Sequence, residues 1–452
     1  MTTTDEPGAA RSPGITYQQL LDTDTHPVPE VLRLEHNVFE SDEDIPVARY
    51  TSRAWHEQEK EKLWSRVWQY ACRTDEIAEA GDYYLYEITD RSYIVIRTES
   101  GAIKAYPNAC LHRGRRLKDY GGRCTELRCA FHGFAWQLDG GLKDVPAQWD
   151  FPHVEAESFT LPECAVGEWA GFVFINPDPN AEPFADYVAE LAGQFEVWDL
   201  ERRYKQAHVA KVVPCNWKIA QEAFCEAYHV NGTHPQIMPY LGDTNSQVDV
   251  WRNCARVISP GGTPSPLLDY DVSQDQMMAA MLDVRHDQEL PISVPEGMTM
   301  RAMAAAMSRE RWREFAGDWV DSMSDAEMMD SIDYTLFPNF HPWGAFNRIV
   351  YRFRPNGDDH RSAIMECIFL APYKGDEKPA PAPVHWLEDH ETFTDAEELG
   401  MLGKVFDQDL FNMPRVQQGL ESTHKPGVTL ANYQESKVRW LHTLLTEWVE
   451  GD

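Results

Sequence analysis

Two short segments, each with one cysteine and one histidine, constrain this chain more than any other feature. Cys110-Leu111-His112 is followed, after sixteen residues, by Cys129-Ala130-Phe131-His132. Two thiolates and two imidazoles suit a tetrahedral zinc site. They equally suit a two-iron cluster in which one iron takes both cysteines and the other both histidines. The spacing leaves both sites open, but each requires a fold that brings the two segments together.

A second pair of histidines, His229 and His234, lies in the sequence A-Y-H-V-N-G-T-H-P-Q. On a continuous helix, two ligands to one metal lie three or four residues apart, because those positions share a face. Residues 216–229 have helical apolar spacing, and the Asn-Gly pair and the proline that follow are stop signals. We therefore expect a helix that ends at His229, with His234 folding back from a loop. This arrangement suits a metal with ligands on one side and open positions on the other.

Composition excludes several classes of protein. A chain of 452 residues, 43% hydrophobic and 12% aromatic, is expected to be globular with two or three domains. It shows no secretory signal and no run of eighteen apolar residues, so we expect a cytoplasmic protein that does not enter membranes. A net charge of -32 argues against nucleic acid as a partner. Nine cysteines without an export signal are better interpreted as thiols, some of them binding metal.

One segment reverses the acidic character of the chain. Between Arg113 and Arg128, only Asp119 and Glu126 are acidic, and six residues are basic. A basic segment in so acidic a protein predicts a docking face for an acidic partner, since complementary potentials raise encounter rates. A solvated surface run explains the same residues equally well. The basic residues are Arg113, Arg115, Arg116, Lys118, Arg123 and Arg128.

The order of apolar patterns predicts an α+β protein with three parts. Residues 1–45 are polar and proline-bearing and form an N-terminal arm. Residues 46–180 contain short alternating strands separated by turns, which predicts a small antiparallel β domain. Residues 181–452 form a second domain with a methionine-rich helical insertion at about 270–330. Methionines at helical spacing usually fill a core, and the alternative is a flexible apolar lid over a substrate pocket.

The residues around the first four candidate ligands resemble a known motif. C-L-H-R-G in the first segment and C-x-x-H-G-F-x-W in the second resemble the Rieske [2Fe-2S] motif. Cys110 and Cys129 match its thiolate positions, and His112 and His132 match its imidazoles. With that motif present, the chain resembles the catalytic alpha subunits of Rieske non-haem iron oxygenases, which include aromatic-ring-hydroxylating dioxygenases and Rieske monooxygenases.

The resemblance implies a second metal, a mononuclear Fe(II) held by His229, His234 and one carboxylate. Residues 406–413 lie in a helix predicted over 395–413 and resemble the family's ligand helix, in which Asp409 fits best as the third ligand. Asp407 is the runner-up. The two aspartates point about 200 degrees apart on a helix, so both cannot face one metal. Glu226 resembles the acidic residue through which this family passes electrons between the two metal centres.

The resemblance also implies an architecture, partners and a reaction. The second domain is expected to be a helix-grip domain, and the assembly a homotrimer in which each cluster serves the next subunit's iron, with a beta subunit left open. Electrons are expected from a separate reductase, with or without a ferredoxin, that docks near Arg113–Arg128. The chain itself has no G-x-G-x-x-G stretch between a strand and a helix with which to bind a nicotinamide.

The expected reaction uses O2 to hydroxylate a small organic substrate, once or twice, or to demethylate it. An apolar and aromatic substrate, as in aromatic hydrocarbon catabolism, is suggested by the side chains expected around the iron. Two rivals remain: a Rieske electron-transfer protein without oxygenase activity, and a zinc-stabilised binding module. The suggested pocket residues are Phe224, Tyr228, Met238, Phe340, Trp343 and Phe346.

Overall fold

The N-terminal arm lies along the second half of the chain. The computed structural model describes residues 8–198, 200–284, 288–345 and 347–451, so the first seven residues of the arm are outside it. The Asp24 carboxylate is paired with Arg301 at 2.9 Å, and the Thr25 hydroxyl donates to Asp325 at 2.9 Å. Buried ion pairs and hydrogen bonds therefore fix the arm in place. Its elements are α1 (Tyr17–Leu21), α2 (Glu30–Arg33) and β1 (Ile45–Pro46).

Short antiparallel strands follow, as the alternating pattern predicts. They are preceded by two short helices and one π-helical turn, Glu59–Leu63, and they form three small sheets, β5-β4-β3-β6, β7-β8-β9 and β10-β11-β2. The helices are α3 (Ala48–Thr51) and α4 (Arg53–Gln58). The strands are β2 (Gln69–Arg73), β3 (Asp82–Ile88), β4 (Arg91–Arg97), β5 (Ile103–Pro107), β6 (Gly122–Arg123), β7 (Leu127–Arg128), β8 (Ala135–Trp136), β9 (Leu142–Asp144), β10 (Ala165–Trp169) and β11 (Phe172–Asn176).

A small apolar core holds the two cysteine–histidine segments. Cys110 and Cys129 are both buried in it, together with Phe134 and Trp136. The neighbouring sheet β10-β11-β2 packs instead into the large core of the second half of the chain. The two segments therefore lie in a separate unit with its own interior.

The second half of the chain is built on one large sheet. Its strands run in the order β13-β14-β15-β16-β17-β18-β12-β19 in the described part of the chain, antiparallel except for the pair β12 and β19. The long strand β17 is almost wholly buried and β18 is buried from Ala363 to Ala371, which fits a sheet covered by helices. The strands are β12 (Arg203–Val213), β13 (Gln247–Val250), β14 (Cys254–Ser259), β15 (Ser331–Leu336), β16 (Phe340–Pro342), β17 (Ile349–Asn356), β18 (Asp359–Pro372), β19 (His385–Leu387) and β20 (Gly427–Val428), which pairs with β1.

Helices cover this sheet and supply the residues discussed below. The helix predicted over 395–413 instead spans Met401–Ser422. Its N-cap residue is Gly400, and Pro414 lies inside the helix without ending it. A proline costs a helix one backbone hydrogen bond, and here the buried face of the helix compensates. Among the described helices, none is both long and apolar enough to span a bilayer. They are α5 (Phe184–Phe195), α6 (Trp217–Glu222), α7 (Val230–Thr233), α8 (Gln274–Met281), α9 (Met300–Ala316), α10 (Asp325–Met329), α11 (Met401–Ser422) and α12 (Ser436–Glu450).

Candidate metal centres

The two cysteine–histidine segments form loops with the same backbone pattern. In the first loop, the Cys110 N–H donates to the Arg115 carbonyl at 2.8 Å, and the Gly114 N–H donates to the Cys110 carbonyl at 2.9 Å. Both loops turn at a glycine in the left-handed region, with φ of +75° in the first loop and +84° in the second. The equivalent bonds of the second loop join Cys129 to Phe134 at 2.8 Å and Gly133 to Cys129 at 3.0 Å.

The paired loops bring all four candidate ligands together. The thiols of Cys110 and Cys129 lie within hydrogen-bonding reach of each other, and the rings of His112 and His132 are 4.6 Å apart. The His112 Nδ1 atom is buried and has no hydrogen-bond partner among the described residues. A buried polar atom without a partner is costly unless something else binds it. These four side chains therefore fit an iron–sulfur cluster, with the His132 side exposed to solvent.

The basic segment around these loops is largely neutralised by ion pairs. Arg115 pairs with Asp119 at 2.8 Å, and Arg128 pairs with Asp144 at 3.0 Å. Arg113 instead lies over the exposed Phe131 ring, 5.4 Å from its centroid. The segment is exposed and lies beside the candidate cluster, but its positive charge is mostly shared with nearby carboxylates.

His229, His234 and Asp409 converge in the second half of the chain. Their candidate ligand atoms all lie within 4.8 Å of one another. His234 Nε2 is 2.9 Å from Asp409 Oδ1, and His229 Nε2 is 3.6 Å from the same oxygen. Two imidazoles and one carboxylate on one side of a cavity form the facial arrangement typical of a non-haem iron site with open positions.

The remaining ring nitrogen of each histidine is held by a side-chain oxygen. His229 Nδ1 lies 2.7 Å from Glu226 Oε1, and His234 Nδ1 lies 2.8 Å from Gln408 Oε1. Such partners fix the ring orientation and leave Nε2 free for a metal. Burial lowers the pKa of His229, but the carboxylates of Glu226 and Asp409 outweigh burial and raise it overall.

The local structure around the histidines differs from the expectation. Helix α6 ends at Glu222 rather than at His229, and the two histidines flank the short helix α7. The His229 N–H donates at 2.9 Å to the side chain of Glu226, so a carboxylate replaces a helical carbonyl at this point. His229 and His234 are thus five residues apart because they lie at the two ends of one helical turn.

The two candidate aspartates on α11 have different partners in the structure. Asp407 accepts hydrogen bonds from the backbone N–H groups of Phe393 at 2.7 Å and Thr394 at 3.1 Å. It holds a neighbouring turn and does not contact the histidines. Asp409 is buried against both histidines, so the geometry favours it as the third ligand.

An acidic cavity lies beside two of the three candidate ligands. It has a volume of about 670 Å³ and is lined by Glu222, Glu226 and Glu435 as well as by His229 and Asp409. Burial raises the pKa of Glu435 to about 7, and the nearby carboxylates of Glu226 and Glu222 add to this shift. Sequence reasoning missed Glu435, because only the fold brings it near residues 222–229.

A second, largely apolar cavity, named the inner cavity, adjoins all three candidate ligands. It has a volume of about 360 Å³, and His229, His234 and Asp409 all line it. Of the suggested pocket residues, Phe224 and Trp343 line it. Tyr228 is exposed, Met238 and Phe340 are buried elsewhere, and Phe346 lies outside the described residues.

The methionine-rich insertion serves two purposes. Met277, Met278, Met300 and Met303 are buried in a small core of their own between α8 and α9. Met281 and Met329 instead line the inner cavity. Most of these methionines are therefore core residues, and two help to shape the cavity beside the candidate metal site.

Comparison with known proteins identifies the family. Residues 194–451, more than half of the chain, match the family described as "Ring hydroxylating alpha subunit (catalytic domain)". The chain belongs to this family of Rieske oxygenases. Residues 67–155 match the "Rieske [2Fe-2S] domain". Family membership confirms the predicted α+β class with Rieske and helix-grip catalytic domains. It also confirms the predicted cofactors, a Rieske [2Fe-2S] cluster and a mononuclear iron.

Curated relatives of this Rieske oxygenase differ in the reactions their names describe. The carnitine monooxygenase oxygenase subunit of Escherichia coli (strain K12) is 32% identical over 197 residues, which are 42% of this chain and 52% of that protein. The biphenyl 2,3-dioxygenase subunit alpha of Rhodococcus jostii (strain RHA1) is 30% identical over 207 residues, or 44% and 45% of the two chains. The chain thus spans about half the length of the curated relatives it matches.

Solved structures show the same fold over most of the chain. A quaternary ammonium Rieske monooxygenase matches with a TM-score of 0.63 and 18% identity, covering 90% of this chain and 95% of the other. Naphthalene 1,2-dioxygenase from Rhodococcus sp. matches with a TM-score of 0.60 and 20% identity, covering the same shares. At this level of identity, the similarity establishes the fold.

Proposed function

We propose that this protein is the terminal oxygenase component of a Rieske system and hydroxylates an apolar organic substrate with O2. The observation that carries this proposal is the group His229, His234 and Asp409, which opens directly onto the apolar inner cavity. Neither alternative, a Rieske electron-transfer protein or a zinc-stabilised binding module, requires a carboxylate–histidine triad beside an apolar cavity. The electron carrier needs no second metal site, and the zinc module needs no cavity.

Each centre has its own set of proposed ligands. Cys110, Cys129, His112 and His132 hold the cluster, and His229, His234 and Asp409 hold the mononuclear iron. When bound, the cluster supplies single electrons and the mononuclear iron supplies oxygen activation. Around the iron site, Glu226 and Gln408 orient the two imidazoles.

The inner cavity sets the chemistry of the proposed substrate. Phe224, Trp343, Tyr351 and Phe406 line it along with several aliphatic side chains, and the carboxylates of Glu226 and Asp333 also reach it. The mainly apolar wall limits water near the triad and favours an apolar substrate. Aromatic rings pack well against such walls, which supports an aromatic substrate.

We also propose that this oxygenase assembles as a homotrimer in which the cluster of one copy faces the triad of the next. Phe131 and Trp149, near the cluster, are 56% and 82% exposed, and Phe411, beside the acidic cavity, is 60% exposed. We assign these exposed aromatic residues to the contact between copies. A contact between two different surfaces is head-to-tail, and it forms a trimer when three copies close into a ring. Glu226 then lies between the triad and the neighbour's cluster and connects the two centres.

The proposed electron donor is a reductase, with or without a ferredoxin, that docks on residues 113–128 beside the cluster. Arg115 and Arg116 are the residues to test, since both are partly exposed and pair only with surface carboxylates. Replacing both with glutamate should slow reduction by the cognate donor and leave the visible spectrum of the cluster intact. Unchanged reduction kinetics would rule out this docking site.

Oxygen uptake tests the proposed function directly. The purified protein with reductase and NAD(P)H should consume O2 in the presence of apolar aromatic compounds and yield hydroxylated products, identified by mass spectrometry. Iron and sulfide analysis provides the control for the rivals. An electron carrier would contain about two irons per chain and a zinc module none, and either result would overturn the proposal.

A further inference from the structure

The inner cavity adjoins a second, larger cavity. This outer cavity has a volume of about 920 Å³ and is bounded by α8 and the start of α11. The same five side chains line both cavities, so they are the layer that lies between them. The shared residues are Ile237, Tyr240, Met281, Leu402 and Val405.

The shared residues form a junction between the two cavities. All five are half-buried, although four of them are aliphatic side chains that normally pack fully. Met281 lies on α8 and packs against the methionine core, and Leu402 lies on α11 and packs against the large core. The junction therefore consists of partly buried side chains, some of them on these two helices, and a ligand that moves them aside joins the two cavities. A methionine in such a place adapts easily to different occupants.

The outer cavity differs from the inner one in its rim. Its walls include the exposed apolar residues Tyr270 and Met401. Its mouth carries polar groups, among them Asp283 and Lys404, which form an exposed ion pair at 3.0 Å. The two cavities are therefore largely apolar between the carboxylates beside the triad and the ion pair at the surface.

We infer that the two cavities form one elongated substrate site. It takes an extended apolar molecule whose reacting end lies beside the triad and whose far end, with any polar group, lies in the outer cavity. This inference rests on the proposed function, since it assigns the substrate class of the same site. The inner cavity alone accommodates a compact molecule, whereas both cavities together accommodate a long one.

Binding of a homologous series tests the inference without turnover. The oxidised holoprotein, with no reductase present, is titrated calorimetrically with 4-methylphenol, 4-butylphenol and 4-hexylphenol. Each methylene removed from water should tighten binding about fourfold. The affinity ratio of the hexyl to the methyl compound should therefore be on the order of 100-fold or more.

Narrowing the junction with a larger side chain should remove the preference for longer alkyl chains. In Met281→Trp and Leu402→Trp, the ratio should fall to about tenfold or less, because the longer chains can no longer cross between the cavities. Met307→Trp is the matched control, since Met307 is partly exposed on α9 and lines neither cavity. The visible spectrum of the cluster reports that each variant is folded.

The outcomes separate this inference from the proposed function. A wild-type ratio near one, or an unchanged ratio in both narrowed variants, would overturn the elongated site. If the wild-type protein consumes no O2 but both variants lose the preference for longer ligands, the elongated site is supported and only the oxygenase assignment is overturned.

Discussion

Asp409 and Asp407 lie two residues apart on one helix and have different partners. Asp409 contacts both histidines, whereas Asp407 holds the turn at residues 393–394. Asp409→Ala should lower the iron content from about three to about two per chain and abolish oxygenase activity, while acid-labile sulfide stays constant. Metal analysis with sulfide determination measures this directly.

Asp407→Ala is the matched control on the same helix. It should keep all of its iron but lower the free energy of unfolding by about 1–2 kcal/mol, because two backbone N–H groups lose a charged acceptor. If Asp407→Ala lost the mononuclear iron and Asp409→Ala kept it, the ligand assignment would be reversed.

Glu435 makes stability depend on pH. Its pKa is about 7 in the folded protein, above the ordinary 4.5, because the carboxyl is buried near Glu226 and Glu222. A raised pKa means that the folded state holds the proton more tightly. Protonated Glu435 therefore makes its full contribution to the free energy of unfolding below about pH 4.5, and this contribution is lost as the pH rises towards 7. The acidic cavity is therefore less stable in alkaline solution.

Replacing Glu435 with glutamine removes this dependence. Glu435→Gln should raise the free energy of unfolding at pH 8 by on the order of 2 kcal/mol and leave it nearly unchanged at pH 5. Urea denaturation at the two pH values measures the difference. Glu99→Gln, in an exposed turn, is the control and should have little effect at either pH. An equal gain at both pH values for Glu435→Gln would mean that its charge is not the cause.

At the scale of elements, the two cluster loops depend on glycines with positive φ. A Cβ on Gly133 would meet Pro146 Cγ at 3.1 Å, whereas a Cβ on Gly114 would meet nothing within 4 Å. Both alanine variants force a residue with a side chain into the left-handed region, at a cost of about 1 kcal/mol. Gly133→Ala should cost roughly 1 kcal/mol more, because it also crowds the proline.

Thermal bleaching of the cluster's visible absorption measures these costs. Gly133→Ala should bleach at a lower temperature than Gly114→Ala, and both at a lower temperature than the wild type. Equal shifts for the two variants would show that the contact with Pro146 relaxes without cost.

The sequence predicts which side chains come together better than it predicts the elements that carry them. The convergence of the four cysteine and histidine residues and of the two later histidines could be predicted, because metal binding requires particular side-chain types at short spacing. The end of α6 could not, since the side chain of Glu226 takes the His229 N–H that a helix would have used. Nor could the role of Gln408 be predicted, because its partner His234 lies 174 residues earlier in the chain.

For the whole molecule, the two centres have separate surroundings. The cluster residues belong to a small core, and the residues of the triad line cavities formed, in the described part of the chain, by residues from 219 onwards and by Tyr50. Domain limits at 46–180 and 181–452 remain a prediction, but the cores explain why each centre has its own folded unit. In the proposed trimer, communication between the centres depends on how the copies are arranged.

Mixing two inactive variants tests that arrangement. His112→Ala should lose a functional cluster and keep the triad, and His234→Ala should keep the cluster and lose the mononuclear iron. Each should be inactive alone as a homotrimer. The two variants are dissociated into subunits under mild conditions, mixed in equal amounts and reassembled. One interface in four then joins an intact cluster to an intact triad. Activity per chain should then recover to about a quarter of the wild-type value. A mixture that assembles, as shown by light scattering, but stays inactive would mean that each cluster serves the triad of its own chain.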